Sequence, residues 1–387
     1  MSPIMQATVI VTLAEAARRH LKRADYVPCV DAFIDCRLPG SMPKENYSMI
    51  GPGVTQNPTQ AINLQEPHGF NIGAAGMYPG VTNNLHLHFT SETFIVPTGA
   101  YTLRWGVCGD EGELPLKAGD IAVMPTWLFR GFTAASDQFG LLMTVLGGDD
   151  TGGIIWSPEV LMRARETGLW LNKDNEVIDE HTTGVAPSDA DILPLLPDAE
   201  IAALKRWSIE QMRARVIKKT SLDFRPATLD TAAGFQWQIA PAVGNGLSQH
   251  RHHAPAVLEP QSFSVEWLRV ESGQGSAPFS TAEKMVVISL SLLLEVELNT
   301  GVDMVRCVLG FEDMISIPAH AVRAFRCPSG AMPAEAVMVI AGDHVKHPKF
   351  ADSVIADALS NDVAVDAGGK LARASILPPA MLRAQHT

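Results

Sequence analysis

The sequence predicts an all-β protein made of two related barrel modules, with a helical arm before them and a helical linker between them. Three observations carry that expectation. The chain has 387 residues, more than a single hydrophobic core usually serves. It repeats itself once. Each copy reads as short runs of β-forming residues separated by turn signals, the pattern of a sandwich or barrel.

The repeat is visible residue by residue. Glu66, Pro67 and Phe70 pair with Glu259, Pro260 and Phe263. Asp120–Pro125 pairs with Asp313–Pro318, Arg130 with Arg323, Phe132 with Phe325, and Val145–Asp149 with Val339–Asp343. Residues 56–150 and 249–343 are therefore read as two copies of one unit. The expected layout is an N-terminal arm over 1–50, a first barrel over 51–150 and a helical linker over 151–225. A second barrel over 226–345 and a tail over 346–387 complete it.

Along the chain, Leu13–Lys22 is rich in Ala, Leu and Arg and predicts a helix. Tyr101–Val107 and Ile121–Pro125 predict strands, divided by the turn signals Cys108–Gly112 and Lys117–Asp120. Ser157-Pro158-Glu159 supplies a Ser N-cap with Pro at the first helical position, so a helix is predicted over Pro158–Thr167. Asn172–Leu196 is polar and aperiodic and reads as an exposed connection. Asp198–Lys218 places Ile201, Leu204, Ile209 and Met212 on one side and reads as a helix. Ile288–Val296, inside the β-rich Met285–Glu297, reads as one buried strand. The Ala-rich stretch after Lys349 predicts a closing helix.

Composition narrows the partners. The net charge of −12, with no basic stripe, argues against nucleic acid. No apolar run reaches the roughly 20 residues a membrane helix needs, so no membrane partner is expected. The N-terminus lacks the pattern of a secretion signal. Cys29, Cys36, Cys108, Cys307 and Cys327 show no CxxC spacing, which fits a reducing, cytoplasmic setting. The N-terminal arm before Gly51 has no evident core of its own, and a homo-oligomer is expected.

The chemistry-bearing segment is Gly80-Val-Thr-Asn-Asn-Leu-His86-Leu-His88-Phe-Thr-Ser-Glu92-Thr-Phe-Ile-Val-Pro-Thr-Gly99. On a strand, His86 and His88 point to one face and the flanking Leu85 and Leu87 to the other. Two imidazoles and a carboxylate converging in a dry barrel are costly unless something binds them, and a divalent metal satisfies all three. The donor set suits Fe(II) first, with Zn, Mn or Ni as alternatives.

Gly80, His86, His88, Glu92 and Gly99 fill the spacing of the first signature motif of the cupin superfamily, and Gly119 and Pro125 fit the start of the second. The chain thus resembles a two-domain cupin, which implies two double-stranded β-helix (jelly-roll) barrels. Cupins usually place a metal-ligating His five residues after that Pro; this chain has Arg130, which has no lone pair to offer a metal. His68 is a candidate to complete the site. The positions expected to match His86, His88 and Glu92 in the second copy are Ala277, Phe279 and Glu283, so that copy is expected to hold no metal. Length, layout and the segment Leu116–Arg130 resemble the gentisate-type ring-cleaving dioxygenases, although that family keeps the third His and usually lacks a Glu at the position of Glu92.

The resemblance implies a metal-dependent enzyme, with an Fe(II) dioxygenase acting on a small aromatic or enolisable carboxylate as the leading expectation. A redox-neutral isomerase, decarboxylase or lyase and a non-enzymatic small-molecule binder are the alternatives. Arg130 would clamp the substrate carboxylate, or else hold a structural carboxylate, since Arg323 repeats it. Trp127 and Tyr101 would wall a planar substrate, or pack in the core. The run Gln249–His253 reads as a polar edge or interface strand, and His320 as a rim residue.

Overall fold

A computed structural model describes residues 9–383. The expected arm and tail extend into residues 1–8 and 384–387, which lie outside the described residues. The chain forms two compact units. One is Tyr26–Thr220; the other joins the residues up to Asp25 with those from Ser221 onward. The first 50 residues therefore divide at Asp25.

The first unit is a two-sheet barrel. One sheet runs in the order Ile155–Trp156, Thr82–Leu87, Arg130–Ala134, Ala100–Trp105, Gly112–Lys117. The other runs Val216–Ile217, Ile121–Met124, Glu92–Ile95, Gly140–Gly147, Phe70–Met77, Lys44–Ile50, Ile62–Leu64. Alternation places Phe94, Leu103, Trp105, Leu116, Met124 and Leu142 in a shared core. The second unit repeats the plan with a six-stranded and a five-stranded sheet. Its core includes Trp237, Leu268, Phe279, Val287 and Phe325.

Strand pairing fixes how the two copies align. Arg130 lies opposite His86, and Arg323 opposite Phe279. Glu92 lies opposite Met124, and Met285 opposite Ile317. All four correspondences share one offset of 193 (86 to 279, 130 to 323, 92 to 285, 124 to 317). This corrects the expected match. The counterparts of His86, His88 and Glu92 are Phe279, Thr281 and Met285, not Ala277, Phe279 and Glu283. No gap is needed over these strands; one inserted residue before strand Ala334–Ala341 raises the offset to 194 there.

Local differences from the sequence expectation have identifiable causes. Asp198–Lys218 is two helices, Asp198–Ala203 and Ile209–Arg213. Ser208 starts the second with a capping box to Gln211, and the Trp207 carbonyl between them accepts from Trp105 Nε1 at 2.9 Å. Ile288–Val296 folds as two strands, Met285–Ser289 and Leu294–Leu298, around a turn that exposes Leu292. The 172–196 connection contains a strand, Val177–Asp179, paired with Leu169–Leu171, and a buried Ile192. Helices Leu13–Arg19, Pro158–Glu166 and Asp352–Ser360 lie where helices are expected, the second with its Ser157 cap. No described helix is long and apolar enough to cross a membrane.

Candidate metal centre

His86, His88 and Glu92 meet inside the first barrel. Their potential ligand atoms all lie within 4.8 Å of one another, and all three side chains are buried. His86 is on strand Thr82–Leu87, His88 just beyond it, and Glu92 begins strand Glu92–Ile95 of the facing sheet. The short turn between the two strands therefore brings the carboxylate back over the imidazoles.

Backbone carbonyls set the tautomers. His86 Nδ1 lies 2.7 Å from the Asn84 carbonyl, and His88 Nδ1 lies 3.3 Å from the Gly153 carbonyl. A carbonyl accepts only, so each Nδ1 carries the proton and each Nε2 carries a lone pair. Burial, reinforced by the nearby Arg130 charge, holds both imidazoles below their ordinary pKa and therefore neutral. His88 Nε2 lies 3.6 Å from Glu92 Oε1. The indole of Trp156 flanks His86 at 5.2 Å between ring centres and shields it from bulk water.

Arg130 governs Glu92. Its Nε and Nη2 both donate to Oε2, at 3.0 and 2.7 Å, while Nη1 donates to the carbonyls of His86 and Leu128 at 3.2 and 3.3 Å. Burial alone would raise the Glu92 pKa; the guanidinium outweighs it and holds the carboxylate well below the usual range. One carboxylate oxygen is thus committed to Arg130, and the other faces the histidines. Two neutral Nε2 atoms and one anionic oxygen are the donor set a divalent cation takes. Donor atoms sharing one ion lie within about 4.2 Å, so a small side-chain shift suffices. Backbone bonds to both Nδ1 atoms and the Arg130 bond to Glu92 are the outer interactions that orient ligands in metal sites.

The cluster opens on a cavity of about 60 Å³. Its wall includes Asn46, Ser48, Gln60, Asn83, Thr144 and Phe33. The cavity exists because strand Phe70–Met77 carries Gly73-Ala74-Ala75 at this point. Their counterparts in the second barrel are Glu266, Trp267 and Leu268, all buried, which fill that space. There Arg323 is also fully buried, but Nη1 and Nη2 donate to the Thr281 hydroxyl at 3.0 and 3.1 Å. Burial lowers its pKa to about 9.

The other residues singled out in the sequence lie elsewhere. Arg130 turns its donors to Glu92 and the backbone and does not line the cavity. Tyr101 packs edge-on against Phe132 in the core, behind the cavity wall. Trp127 is 44% exposed, at a left-handed turn (φ 57°) repeated by the exposed His320 (φ 63°). His68 does not join the cluster: its Nδ1 bonds the Glu66 carbonyl and its backbone N–H donates to Asp149. Gln261 repeats both bonds, with Glu259 and Asp343, so this position shapes a turn in each barrel. The His250–His253 run forms a turn rather than an edge strand, with buried His253 bridging Ser248 and the Asp223 carbonyl.

The motif spacing did not single out Asn83 and Trp156. Simple alternation from His86 puts Asn83 on the outer face. A shift in pairing, with Arg130 opposite His86 but Phe132 opposite Asn83, marks a bulge that turns Asn83 inward.

No protein-family model matches the chain, and no curated protein matches it in sequence. Solved structures match its fold. The oxalate decarboxylase of Lactobacillus farciminis, in a formate complex, has a TM-score of 0.53 at 11% identity, covering 92% of each chain. The 7S globulin of Momordica charantia has a TM-score of 0.51 at 9% identity, covering 86% of each chain. The oxalate decarboxylase of Bacillus subtilis at pH 4.6 has a TM-score of 0.50 at 10% identity, covering 84% of this chain and 77% of that one. Two barrels in one register, the first with the complete His-x-His and Glu motif, together with these likenesses, give this chain the fold of a two-domain cupin.

Proposed function

We propose that the first barrel is a metal-dependent enzyme centre for a small carboxylate, with His86, His88 and Glu92 as ligands. The observation that carries this reading is the convergence of two lone-pair-bearing Nε2 atoms and one free carboxylate oxygen on the wall of a small cavity. Cavity size then favours a short acid over the aromatic one. An engineered apolar cavity that takes benzene measures about 150 Å³, against about 60 Å³ here. A divalent cation held there would polarise an oxygen of the acid as a Lewis acid, or, as Fe(II), bring dioxygen chemistry to it. The protein's own part is separate. Burial keeps both imidazoles neutral, backbone carbonyls turn their Nε2 atoms to the site, Arg130 keeps Glu92 ionised and one-armed, and Trp156 and Phe33 limit water. With Glu92 and Arg130 cancelling, a bound dication leaves the centre net positive, which favours an anionic substrate.

Redox-neutral cleavage, as in a decarboxylase, fits the cavity best. The fold is shared with oxalate decarboxylases, one of which has Mn(II) centres and all of which act on a two-carbon acid. The Fe(II) dioxygenase is the second reading, favoured by the two-His, one-carboxylate donor set with open positions. Small acids are the proposed partners, and the working form is proposed to be a cytoplasmic homo-oligomer. The test is the metal content of purified protein beside a His86→Ala/His88→Ala variant, followed by short acids assayed for carbon dioxide release and oxygen uptake. One equivalent of a dication, lost in the variant, with anaerobic turnover supports the lyase reading; turnover that needs oxygen supports the second. A chain that binds no dication after reloading overturns both.

A further inference from the structure

The buried pair Asp35–Lys44 has no part in the chemistry above, yet it reaches the cavity wall. Asp35 is fully buried, and Lys44 is 1% exposed. Lys44 Nζ donates to both Asp35 oxygens at 2.7 Å and to Asn83 Oδ1 at 2.7 Å. Asp35 also accepts from the Asn84 backbone and side chain at 3.1 Å. An ammonium can only donate, so the Asn83 amide has one permitted orientation, with its oxygen toward Lys44. Its Nδ2 is then turned away from Lys44. Asn83 is 6% exposed, lines the cavity, and its Nδ2 has no hydrogen-bond partner among the described residues. That nitrogen keeps solvent contact through the cavity, so a ligand entering there meets a donor rather than an acceptor. In the second barrel Trp237 stands in the place of Lys44, donating Nε1 to Asp230 at 2.9 Å, and Ser276 stands in the place of Asn83. The ammonium–amide relay thus belongs to the barrel that has the cavity.

We propose that Asn83 is the specificity-determining donor of this site, its amide locked by the Asp35–Lys44 pair so that N–H rather than C=O meets the carboxylate of a short-chain acid. The proposal rests on the function given above and adds to it which end of the substrate is read, and by what. Lys44 acts as a positioning residue: it does not line the cavity but fixes the hand of the amide that does.

The experiment uses the full-length protein loaded with Mn(II), titrated calorimetrically with oxalate and with oxamate, which replaces one carboxylate by an amide. Asn83→Asp is isosteric and still accepts from Lys44, but offers the cavity an acceptor instead of a donor. We expect oxalate to bind roughly 10- to 100-fold more weakly, the worth of one hydrogen bond to a charged group, while oxamate gains relative to oxalate. Asn83→Leu should weaken both acids with Mn(II) stoichiometry unchanged, and Lys44→Met/Asp35→Asn should narrow the oxalate-to-oxamate ratio without abolishing Mn(II) binding. For the charge-neutral Lys44→Met/Asp35→Asn pair, a merely structural role would not move that ratio. Wild-type and Asn83→Asp proteins with the same oxalate-to-oxamate ratio overturn the proposal while leaving the metal centre standing. A wild-type protein that takes up Mn(II) but neither acid overturns it too, and one that takes up no dication removes the function beneath it.

Discussion

Replacing Arg130 by Met is the sharpest probe of the centre. In the metal-free protein the substitution strips Glu92 of both N–H donors and removes one donor each from the carbonyls of His86 and Leu128. Breaking one side of a fully buried ion pair costs about 3–5 kcal/mol, and each lost carbonyl hydrogen bond adds about 1 kcal/mol. A loss of about 5 kcal/mol is a large share of the stability of an ordinary domain. A dication on Glu92 compensates the carboxylate but not the carbonyls, so metal should return about 3 kcal/mol more to the variant than to the wild type. By linkage this is roughly 100-fold tighter binding. The assay is urea denaturation in chelator and in saturating Mn(II), with calorimetric titration of the metal. If Arg130→Met binds Mn(II) no more tightly than wild type, Glu92 does not face the ion and the assignment of the ligands is wrong.

Two further outcomes follow from the same geometry. In Gly73→Val the new Cβ lies 3.0 Å from the Tyr47 carbonyl and 3.3 Å from Thr144 Oγ1, with two methyl groups projecting beyond it. Acid binding should fall more than 10-fold and stability by about 1–3 kcal/mol, with the metal retained; unchanged acid binding would place the substrate elsewhere. Glu266, buried in the second barrel, has its pKa raised by burial from 4.5 to about 7. Between those values the native state holds a proton that the unfolded state has lost, so stability falls as pH rises through the window and the loss is complete above it, about 3 kcal/mol in all. Glu266→Gln should flatten this slope in denaturation curves from pH 4.5 to 8, and an unaltered slope would refute the assignment.

What the sequence made legible follows from what it encodes locally. The first motif lies within two consecutive strands joined by a short turn, so spacing alone brings His86, His88 and Glu92 together. The repeat was readable because both barrels keep Arg, Pro and Gly-Asp at the same turns. The missed alignment of Phe279, Thr281 and Met285 has a physical cause: in a barrel without ligands, only strand pairing identifies the equivalent positions. Arg130 looked like a substrate clamp because charge is visible in a sequence, while saturation of its donors by Glu92 and two carbonyls is not. Asn83 was hidden by a single-residue bulge, which inverts the inside–outside rule over a few residues. Asp198–Lys218 carried a helical pattern, but Ser208 and the Trp105 side chain break it from outside the pattern.

The spacing of 193 residues, which becomes 194 over strand Gly140–Gly147, gives this protein an internal control. Any substitution can be written twice in one chain, once beside the cavity and once where Glu266 and Trp267 have filled it. Damage common to both positions reports what such a barrel needs to close; damage confined to the first reports what its centre needs to work. The arginines at 130 and 323 are the natural first pair, since one grips a carboxylate and the other a hydroxyl and a backbone carbonyl.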